Sequence, residues 1–120
     1  MMKKIIVMLF MFLILCGCEN NNVVNEVGIT QEKLKQLMLE NEYIILDVRT
    51  KDEYNEGHLV DAINIPYDEI DKSIDISKEK IIFVYCKSGN RSGIAYEILT
   101  ELGYEVYDLG AYADISLSKE

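Results

Sequence analysis

The sequence predicts an α/β fold in which helices cover both faces of a mostly parallel β-sheet. Two continuous apolar runs, residues 43–46 and 81–85, are typical of strands that are buried on both faces of such a sheet. Segments with helical spacing of apolar residues precede the first run and follow the second. Strands that alternate with helices favour parallel pairing. The chain has 120 residues, which is room for one domain.

The first helix of the domain is predicted over Gln31–Glu40. Thr30 precedes it and can cap its first backbone N–H groups through the hydroxyl oxygen. Leu34, Leu37 and Met38 recur at helical spacing. This pattern indicates an amphipathic helix.

The other elements follow from the same apolar patterns and from turn residues. In chain order, the sequence predicts a strand over 42–48, a helical turn over 51–55, a strand over 62–65 stopped by Pro66, a short helix over 68–74, a strand over 81–85, a helix over 92–103 and a strand over 106–109. Gly103 is expected to cap the long helix, and the tail from Gly110 predicts a weak last helix.

The chain is strongly acidic. It has 12 Lys and Arg residues against 21 Asp and Glu residues, which is a formal net charge of -9. Such a surface repels phosphate backbones, so we expect no nucleic-acid partner.

The N-terminus has the pattern of a bacterial lipoprotein signal. Lys3 and Lys4 precede an unbroken apolar run over 5–15, which is too short to span a bilayer comfortably but is typical of a secretory signal peptide. Residues 15–18, Leu-Cys-Gly-Cys, resemble the lipobox. The resemblance implies cleavage before Cys18 and lipidation of that cysteine. The alternative is an N-terminal helix that is retained as a membrane anchor.

Three segments are therefore predicted: a signal peptide over 1–17, the lipidated Cys18 with a polar, Asn-rich tether over 18–27, and a domain over 28–120. With either anchor, the domain faces outward. We expect it on the outer face of the cell membrane, at the cell surface or the periplasmic side, held by the N-terminal lipid.

Cys86 is the free thiol that this processing leaves in the domain. One interpretation is a buried cysteine that packs as a small apolar side chain. Its position favours a nucleophile, because a short loop leads from it into a helix whose first N–H groups stabilise a thiolate. Gly89 permits a tight loop of N–H groups, and Lys87 and Arg91 add positive charge. We expect a partly exposed Cys86 with a lowered pKa, in a cationic pocket that attracts small anions such as thiosulfate.

Several segments together resemble the rhodanese domain, a sulfurtransferase module. They are 46–49 (Leu-Asp-Val-Arg), 53–54 (Glu-Tyr), 57–59 (Gly-His-Leu), 62–66 (Ala-Ile-Asn-Ile-Pro), 84–92 (Val-Tyr-Cys-Lys-Ser-Gly-Asn-Arg-Ser) and 102–104 (Leu-Gly-Tyr). The resemblance implies a three-layer α/β domain with a mostly parallel, five-stranded sheet. It also implies that Cys86 takes sulfane sulfur from thiosulfate or a persulfide and passes it to a thiol or cyanide acceptor. No metal or organic cofactor is implied, and we expect a monomer.

The spacing between Cys86 and Arg91 separates two kinds of chemistry. Four residues lie between them. Phosphatases of related fold, like tyrosine phosphatases, have five, and their wider loop cradles a tetrahedral phosphate. The shorter loop suits a single sulfur atom on the cysteine, so sulfur transfer is favoured over phosphoryl or arsenyl chemistry.

The loop residues are the candidate substrate-binding residues: Lys87, Ser88, Gly89, Asn90, Arg91 and Ser92. Ser88, Gly89 and Asn90 are expected to act through their backbone N–H groups. Two roles stay open for Arg91: it binds the donor anion, or it closes the loop through hydrogen bonds to carbonyl oxygens. Lys87 either tunes the preference for donors or is a solvated residue at the rim.

Three further residues are expected to support the site. Asp47 and Arg49 end a buried strand, and buried charges are usually paired, so we expect an ion-pair network rather than direct substrate contact. His58 is expected to be a structural hydrogen-bonding residue, because attack by an existing thiolate on a sulfane sulfur needs no general base.

A second class of function stays open beside the enzyme. The domain is then a binding module that holds a partner, or carries sulfur without turnover. A thiol redox protein is disfavoured, because the processed chain has no second free cysteine to resolve a disulfide.

Overall fold

The computed structural model describes residues 29–120. The predicted signal peptide over 1–17, the predicted lipidation site Cys18 and the tether over 18–27 lie outside the described residues. Within 29–120, no helix is both long enough and apolar enough to cross a membrane.

The described residues form three α-helices, four strands and two short 3₁₀ helices. In chain order they are α1 (Gln31–Glu40), β1 (Tyr43–Asp47), α2 (Lys51–Glu56), β2 (Ile63–Asn64), the 3₁₀ helix Tyr67–Glu69, β3 (Ile81–Cys86), α3 (Asn90–Glu101), β4 (Glu105–Ala111) and the 3₁₀ helix Tyr112–Asp114. The sequence prediction is confirmed for α1 and, within about two residues at each end, for the strands and the two later helices.

One local prediction is wrong. The helix expected over 68–74 is reduced to the 3₁₀ turn Tyr67–Glu69. Downstream, the Asp71 carboxylate accepts hydrogen bonds from the backbone N–H and the hydroxyl of Ser73, and such local side-chain bonds compete with a helix. Gly103 terminates α3 as predicted: it follows Leu102 with a φ of +100°, and its N–H donates to Thr100 O at 3.0 Å.

The sheet has the order β2-β1-β3-β4, and all its strands are parallel. The expected fifth strand is absent from the sheet that residues 29–120 form. Instead, the extended backbone around His58 pairs antiparallel with the C-terminal residues, where the His58 N–H donates to Glu120 O at 2.9 Å and the Glu120 N–H donates to His58 O at 2.8 Å. This short pairing lies apart from the four-stranded sheet.

The helices form layers on the two faces of the sheet, so the domain has the expected three-layer arrangement. On one face, Val84 and neighbouring apolar residues pack against Ala95 and Leu99 of α3. On the other face, Phe83 packs against Leu34 and Leu37 of α1. Because successive side chains of a strand point to opposite faces, β3 contributes to both cores. Each fully buried large side chain contributes about 1.5–3 kcal/mol of hydrophobic stabilisation.

Parallel pairing brings the carboxyl ends of β1 and β3 together. Asp47 lies beside Tyr85 in the register of the two strands, and the Val48 N–H donates to Tyr85 O at 3.1 Å. In an open α/β sheet this edge is where ligands bind. The segment after β1 and the loop after Cys86 therefore meet at one site.

Candidate active site

Cys86 is the last residue of β3 and the first of the turn that leads into α3. It is the free cysteine among residues 29–120, and none of its surface is exposed. The expectation of a partly exposed thiol is therefore wrong. The side chain belongs to the core on the α3 side of the sheet, and the turn folds back over it so that the Gly89 N–H reaches the sulfur.

Polar groups of the loop surround the Cys86 sulfur. The Gly89 N–H donates to Sγ at 2.9 Å, and the Cys86 thiol donates to Ser92 Oγ at 3.5 Å. Burial raises the pKa of Cys86, but the Ser92 hydroxyl and the backbone N–H groups of Ser92, Gly89 and Ser88 together lower it by more. The pKa of Cys86 is therefore below its ordinary value, which favours the nucleophilic thiolate.

Gly89 gives the turn its shape. Its φ is +98°, in the left-handed region where a side chain is unfavourable, and it is the N-cap of α3. This conformation turns its N–H toward the sulfur, while its carbonyl oxygen accepts the Ser92 hydroxyl at 3.1 Å. The thiol thus lies at the positive N-terminal end of a twelve-residue helix.

The remaining loop residues lie at the surface. Lys87, Ser88 and Asn90 are exposed, and Asn90 is the first residue of α3. Ser88 acts on the sulfur through its backbone N–H. Of the six loop residues predicted to bind substrate, the structure therefore brings Ser88, Gly89 and Ser92 to the sulfur and leaves Lys87 at the rim.

Arg91 adopts neither of the two contacts that the sequence left open. Its Nη1 donates to Oε1 of Glu53 at 2.7 Å, and its Nη2 donates to Oε2 of Glu53 at 3.1 Å. Both side chains are about one quarter exposed. The guanidinium therefore faces a carboxylate in a two-pronged ion pair that links the start of α3 to α2.

Glu53 is itself held in place by the N-terminus of α2. Its Oε1 accepts the Thr50 N–H at 3.0 Å, and the Thr50 Oγ1 accepts the Glu53 N–H at 3.2 Å, which together form a capping box. Hydrogen bonding to Arg91 is the main reason that the pKa of Glu53 falls to about 2. The carboxylate is ionised throughout the neutral pH range.

Asp47 and Arg49 form the ion pair expected from the sequence. The Arg49 Nη2 donates to Asp47 Oδ2 at 2.6 Å, and the Asp47 carboxylate is fully buried. The Tyr85 hydroxyl also donates to Asp47 Oδ2, at 2.7 Å, and accepts the Leu59 N–H at 3.0 Å. Burial is the largest reason that the pKa of Tyr85 is raised, so this hydroxyl keeps its proton.

Arg49 makes two further contacts that link β1 to the segments beside it. Its Nη2 donates to Gly57 O at 2.6 Å, and its guanidinium carbon lies 4.4 Å from the centre of the Tyr112 ring. Asn64 Nδ2 bridges the chain at the same edge, donating to the carbonyl oxygens of Asp47 and Arg49. These contacts hold the Asp47–Arg49 ion pair in place beside the site, which is a structural role.

His58 also has structural contacts. Its Nδ1 lies 2.8 Å from the Tyr54 carbonyl oxygen, and because a carbonyl oxygen can only accept, Nδ1 carries the proton. The His58 ring stacks on the Tyr54 ring with centres 3.8 Å apart. Its Nε2 lies 3.6 Å from Glu120 Oε2. The structure records no contact between His58 and the Cys86 sulfur among the described residues.

An open cleft of about 390 Å³ lies beside the loop. It is lined by Arg49, Glu53, Glu56, Gly57, Lys87, Tyr112 and Ala113. Two cations and two carboxylates line it, so the charges within this cleft balance. Within residues 29–120, no cluster of three or more His, Cys, Asp or Glu side chains has the arrangement of a metal site.

Glu53 and Tyr85 are two site residues to which sequence reasoning assigned no role. Glu53, three residues after Thr50, fits the pattern of a capping box. That pattern predicts the start of α2, but it does not predict the contact with Arg91, which is 38 residues away. Tyr85 lies in an apolar strand pattern, and a tyrosine buried in such a strand needs a partner for its hydroxyl. The register that places Asp47 beside it is visible only in the structure.

Comparison with known proteins agrees with this geometry. Residues 30–116 match the model of the rhodanese-like domain family. The chain belongs to this family. The rhodanese-like domain shares its fold with a solved rhodanese with anions from Escherichia coli, at a TM-score of 0.60 and 37% identity, covering 65% of this chain and 96% of that one.

Curated relatives place the rhodanese-like domain among sulfurtransferases. It is 40% identical over 78 residues to thiosulfate sulfurtransferase PspE of Escherichia coli strain K12, which covers 62% of this chain and 75% of that protein. It is 34% identical over 92 residues to adenylyltransferase and sulfurtransferase uba4 of Ogataea parapolymorpha, covering 75% of this chain but only 23% of that longer protein. The chain is thus a member of the rhodanese-like sulfurtransferase family.

Proposed function

We propose that the domain transfers sulfane sulfur from thiosulfate or a persulfide to a thiophilic acceptor through a persulfide on Cys86. The observation that carries this proposal is the set of donors around Sγ, above all the Gly89 N–H at 2.9 Å. These donors stabilise a thiolate, and they can stabilise a persulfide anion in the same way. The reaction then needs no general base, in agreement with the structural contacts of His58.

The proposed cycle has two displacement steps. In the first, the Cys86 thiolate attacks the outer sulfur of thiosulfate, a Cys86 S–S bond forms, the S–S bond of thiosulfate breaks, and sulfite leaves with the electron pair. In the second, the acceptor attacks the outer sulfur of the persulfide. With cyanide, a C–S bond forms, the S–S bond on Cys86 breaks, thiocyanate leaves, and the Cys86 thiolate is restored. Each step conserves charge, and no external oxidant or reductant is required.

The test is an assay of the purified protein with thiosulfate and cyanide. We expect thiocyanate to form, and a protein treated with thiosulfate alone to gain about 32 Da, one sulfur atom, on the peptide that contains Cys86. The control is Cys86→Ser, which should do neither. Equal thiocyanate formation by the wild type and C86S would refute the proposal.

One observation favours a second candidate, a sulfur carrier without independent turnover. Cys86 is fully buried, and a persulfide formed there is sheltered from small acceptors. A carrier would show the same gain in mass with thiosulfate, but the added sulfur would persist when cyanide is added. Loss of the added mass at the rate at which thiocyanate appears would exclude the carrier.

We also propose that the domain is held on the outer face of the cell membrane by a lipid on Cys18. The support comes from the lipobox-like segment Leu-Cys-Gly-Cys over 15–18 and the apolar run before it. Metabolic labelling with a fatty acid should mark the wild type, and Cys18→Ser should abolish the label and release the protein from membranes. A labelled C18S protein would overturn this assignment.

A further inference from the structure

We propose that Glu53 is a specificity-determining residue of the sulfur-transfer site. By holding the guanidinium of Arg91 in an ion pair, it withholds that cation from the donor. The site then favours donors of low negative charge, such as alkyl persulfides, over dianions such as thiosulfate. This inference rests on the proposed sulfur transfer and specifies the class of donor that the site accepts best.

Both partners of the Arg91–Glu53 ion pair are held in position. The Nη1 and Nη2 groups of Arg91 both donate to the Glu53 carboxylate, at 2.7 and 3.1 Å. Glu53 is fixed by the capping box with Thr50, and Arg91 is fixed in the first turn of α3. A donor anion that bound Arg91 in the same two-pronged way would have to displace a carboxylate that is already anchored at its other side.

The other charged side chains of the cleft are also balanced by charges of opposite sign. The Arg49 charge is neutralised by the buried carboxylate of Asp47, at 2.6 Å. Lys87 lines the cleft without an ion-pair partner among the described residues, but the cleft also holds the carboxylate of Glu56. The ionised groups of the cleft and of their partners therefore sum to about zero.

A neutral cleft on an acidic protein disfavours a dianion. The chain as a whole carries a formal charge of -9, so its long-range field repels thiosulfate, and no excess of cations at the cleft offsets that repulsion. A persulfide of low charge meets less repulsion. In its transfer step the Cys86 thiolate attacks the terminal sulfur, the donor's S–S bond breaks, the donor thiolate leaves with the electron pair, and the proton stays on the transferred sulfur.

The test compares thiosulfate with cysteine persulfide as donors to the full protein. The readout is the rate at which the Cys86 peptide gains one sulfur, as a function of donor concentration. Glu53→Gln keeps an amide oxygen for the Thr50 N–H but removes the charge that holds Arg91. We expect E53Q to raise kcat/KM for thiosulfate about threefold to tenfold relative to cysteine persulfide, because a cation becomes available to the dianion.

Two further variants show where the change comes from. Glu56→Gln removes the same charge from the cleft without releasing an arginine, so its shift in the ratio of the two donors should be smaller, below about twofold. The double variant E53Q/R91Q should lose the gain of E53Q, since the released cation is gone. The proposal is overturned by an unchanged donor ratio in E53Q, or by a gain that persists in E53Q/R91Q.

A measurement on the wild type covers the case in which E53Q does not fold. With Arg91 withheld, the preference of the wild type for cysteine persulfide over thiosulfate should be greatest at low salt and should shrink as salt screens the repulsion. A preference for thiosulfate that is strongest at low salt would contradict the inference. Wild-type protein that accepts sulfur from neither donor would refute the proposed function instead.

Discussion

Two opposing effects meet at the sulfur of Cys86. Full burial penalises the thiolate, and for a fully buried group that penalty can reach several pKa units. The hydroxyl of Ser92 and the N–H groups of the loop oppose it and lower the pKa of Cys86 below its ordinary value. The reactivity of this thiol therefore depends on a small number of donors, each of which can be removed.

Ser92→Ala should raise the pKa of Cys86. The substitution removes the hydroxyl 3.5 Å from Sγ and leaves the burial of the sulfur in place. The measurement is the pH dependence of alkylation at Cys86, followed by peptide mass spectrometry, and its midpoint should move to higher pH. Ser88→Ala is the matched control, because Ser88 acts through a backbone N–H that alanine keeps. Equal midpoints for S92A and S88A would show that the hydroxyl has no such role.

The Tyr85 hydroxyl should make a measurable contribution to stability. Tyr85→Phe leaves the buried Asp47 without one donor and the buried Leu59 N–H without its acceptor, so we expect a loss of about 1–3 kcal/mol in the free energy of unfolding. Urea denaturation measures it. Tyr107→Phe removes an exposed hydrogen bond to Glu105 and should cost less than about 0.5 kcal/mol. A cost for Y85F no larger than that of Y107F would contradict this account.

Sequence reasoning at the residue scale worked where the signal was local. The position of Cys86 between a strand and a helix, and the pairing of Asp47 with Arg49 two residues later, both follow from nearby residues. The partner of Arg91 could not be found in this way, because Glu53 is 38 residues distant. The exposure of Cys86 was also out of reach, since it depends on how closely the loop folds over the sulfur.

At the scale of elements, the apolar runs predicted β1 and β3 well because a strand buried on both faces must be apolar along its whole length. The two-residue strand β2 consists of the exposed Ile63 and the half-buried Asn64, so its limits depend on pairing with β1 rather than on an apolar pattern. The fifth strand was expected from the family resemblance alone. No apolar run in the sequence predicted it, and the extended backbone around His58 pairs with the C-terminal residues instead.

Alanine should have opposite effects on stability at Gly89, in the turn between β3 and α3, and at Gly93, within α3. Gly89→Ala places a side chain at a φ of +98°, which should cost about 1–2 kcal/mol of stability. Gly93→Ala lies within α3, where an added Cβ meets no atom within 4 Å, so it should stabilise the domain by about 0.5–1 kcal/mol. Urea denaturation of both variants tests the pair. A neutral G89A would contradict the left-handed conformation of the turn, and destabilisation by G93A would contradict the open space at that position of α3.

At the scale of the whole molecule, the three layers and the charge distribution act together on the site. The parallel sheet brings the ends of β1 and β3 to one edge, and α2 and α3 converge on that edge from separate parts of the chain. Glu53 on α2 and Arg91 on α3 join these two helices across the site. The ion pair is thus a link in the tertiary structure as well as a local charge arrangement.

The Arg91–Glu53 ion pair should make the stability of the domain depend on pH in the acidic range. The folded pKa of Glu53 is about 2, against an ordinary value of 4.5, so its contribution is fully present above pH 4.5 and is lost as the pH falls toward 2. Because the pair is about one quarter exposed, we expect it to contribute about 1 kcal/mol after allowance for solvent screening. Urea denaturation of the wild type and E53Q should show the wild type more stable at pH 6 by about this amount, and the difference should vanish toward pH 2. A difference that stays constant or widens on acidification would mean that Glu53 does not stabilise the fold through its ionised carboxylate.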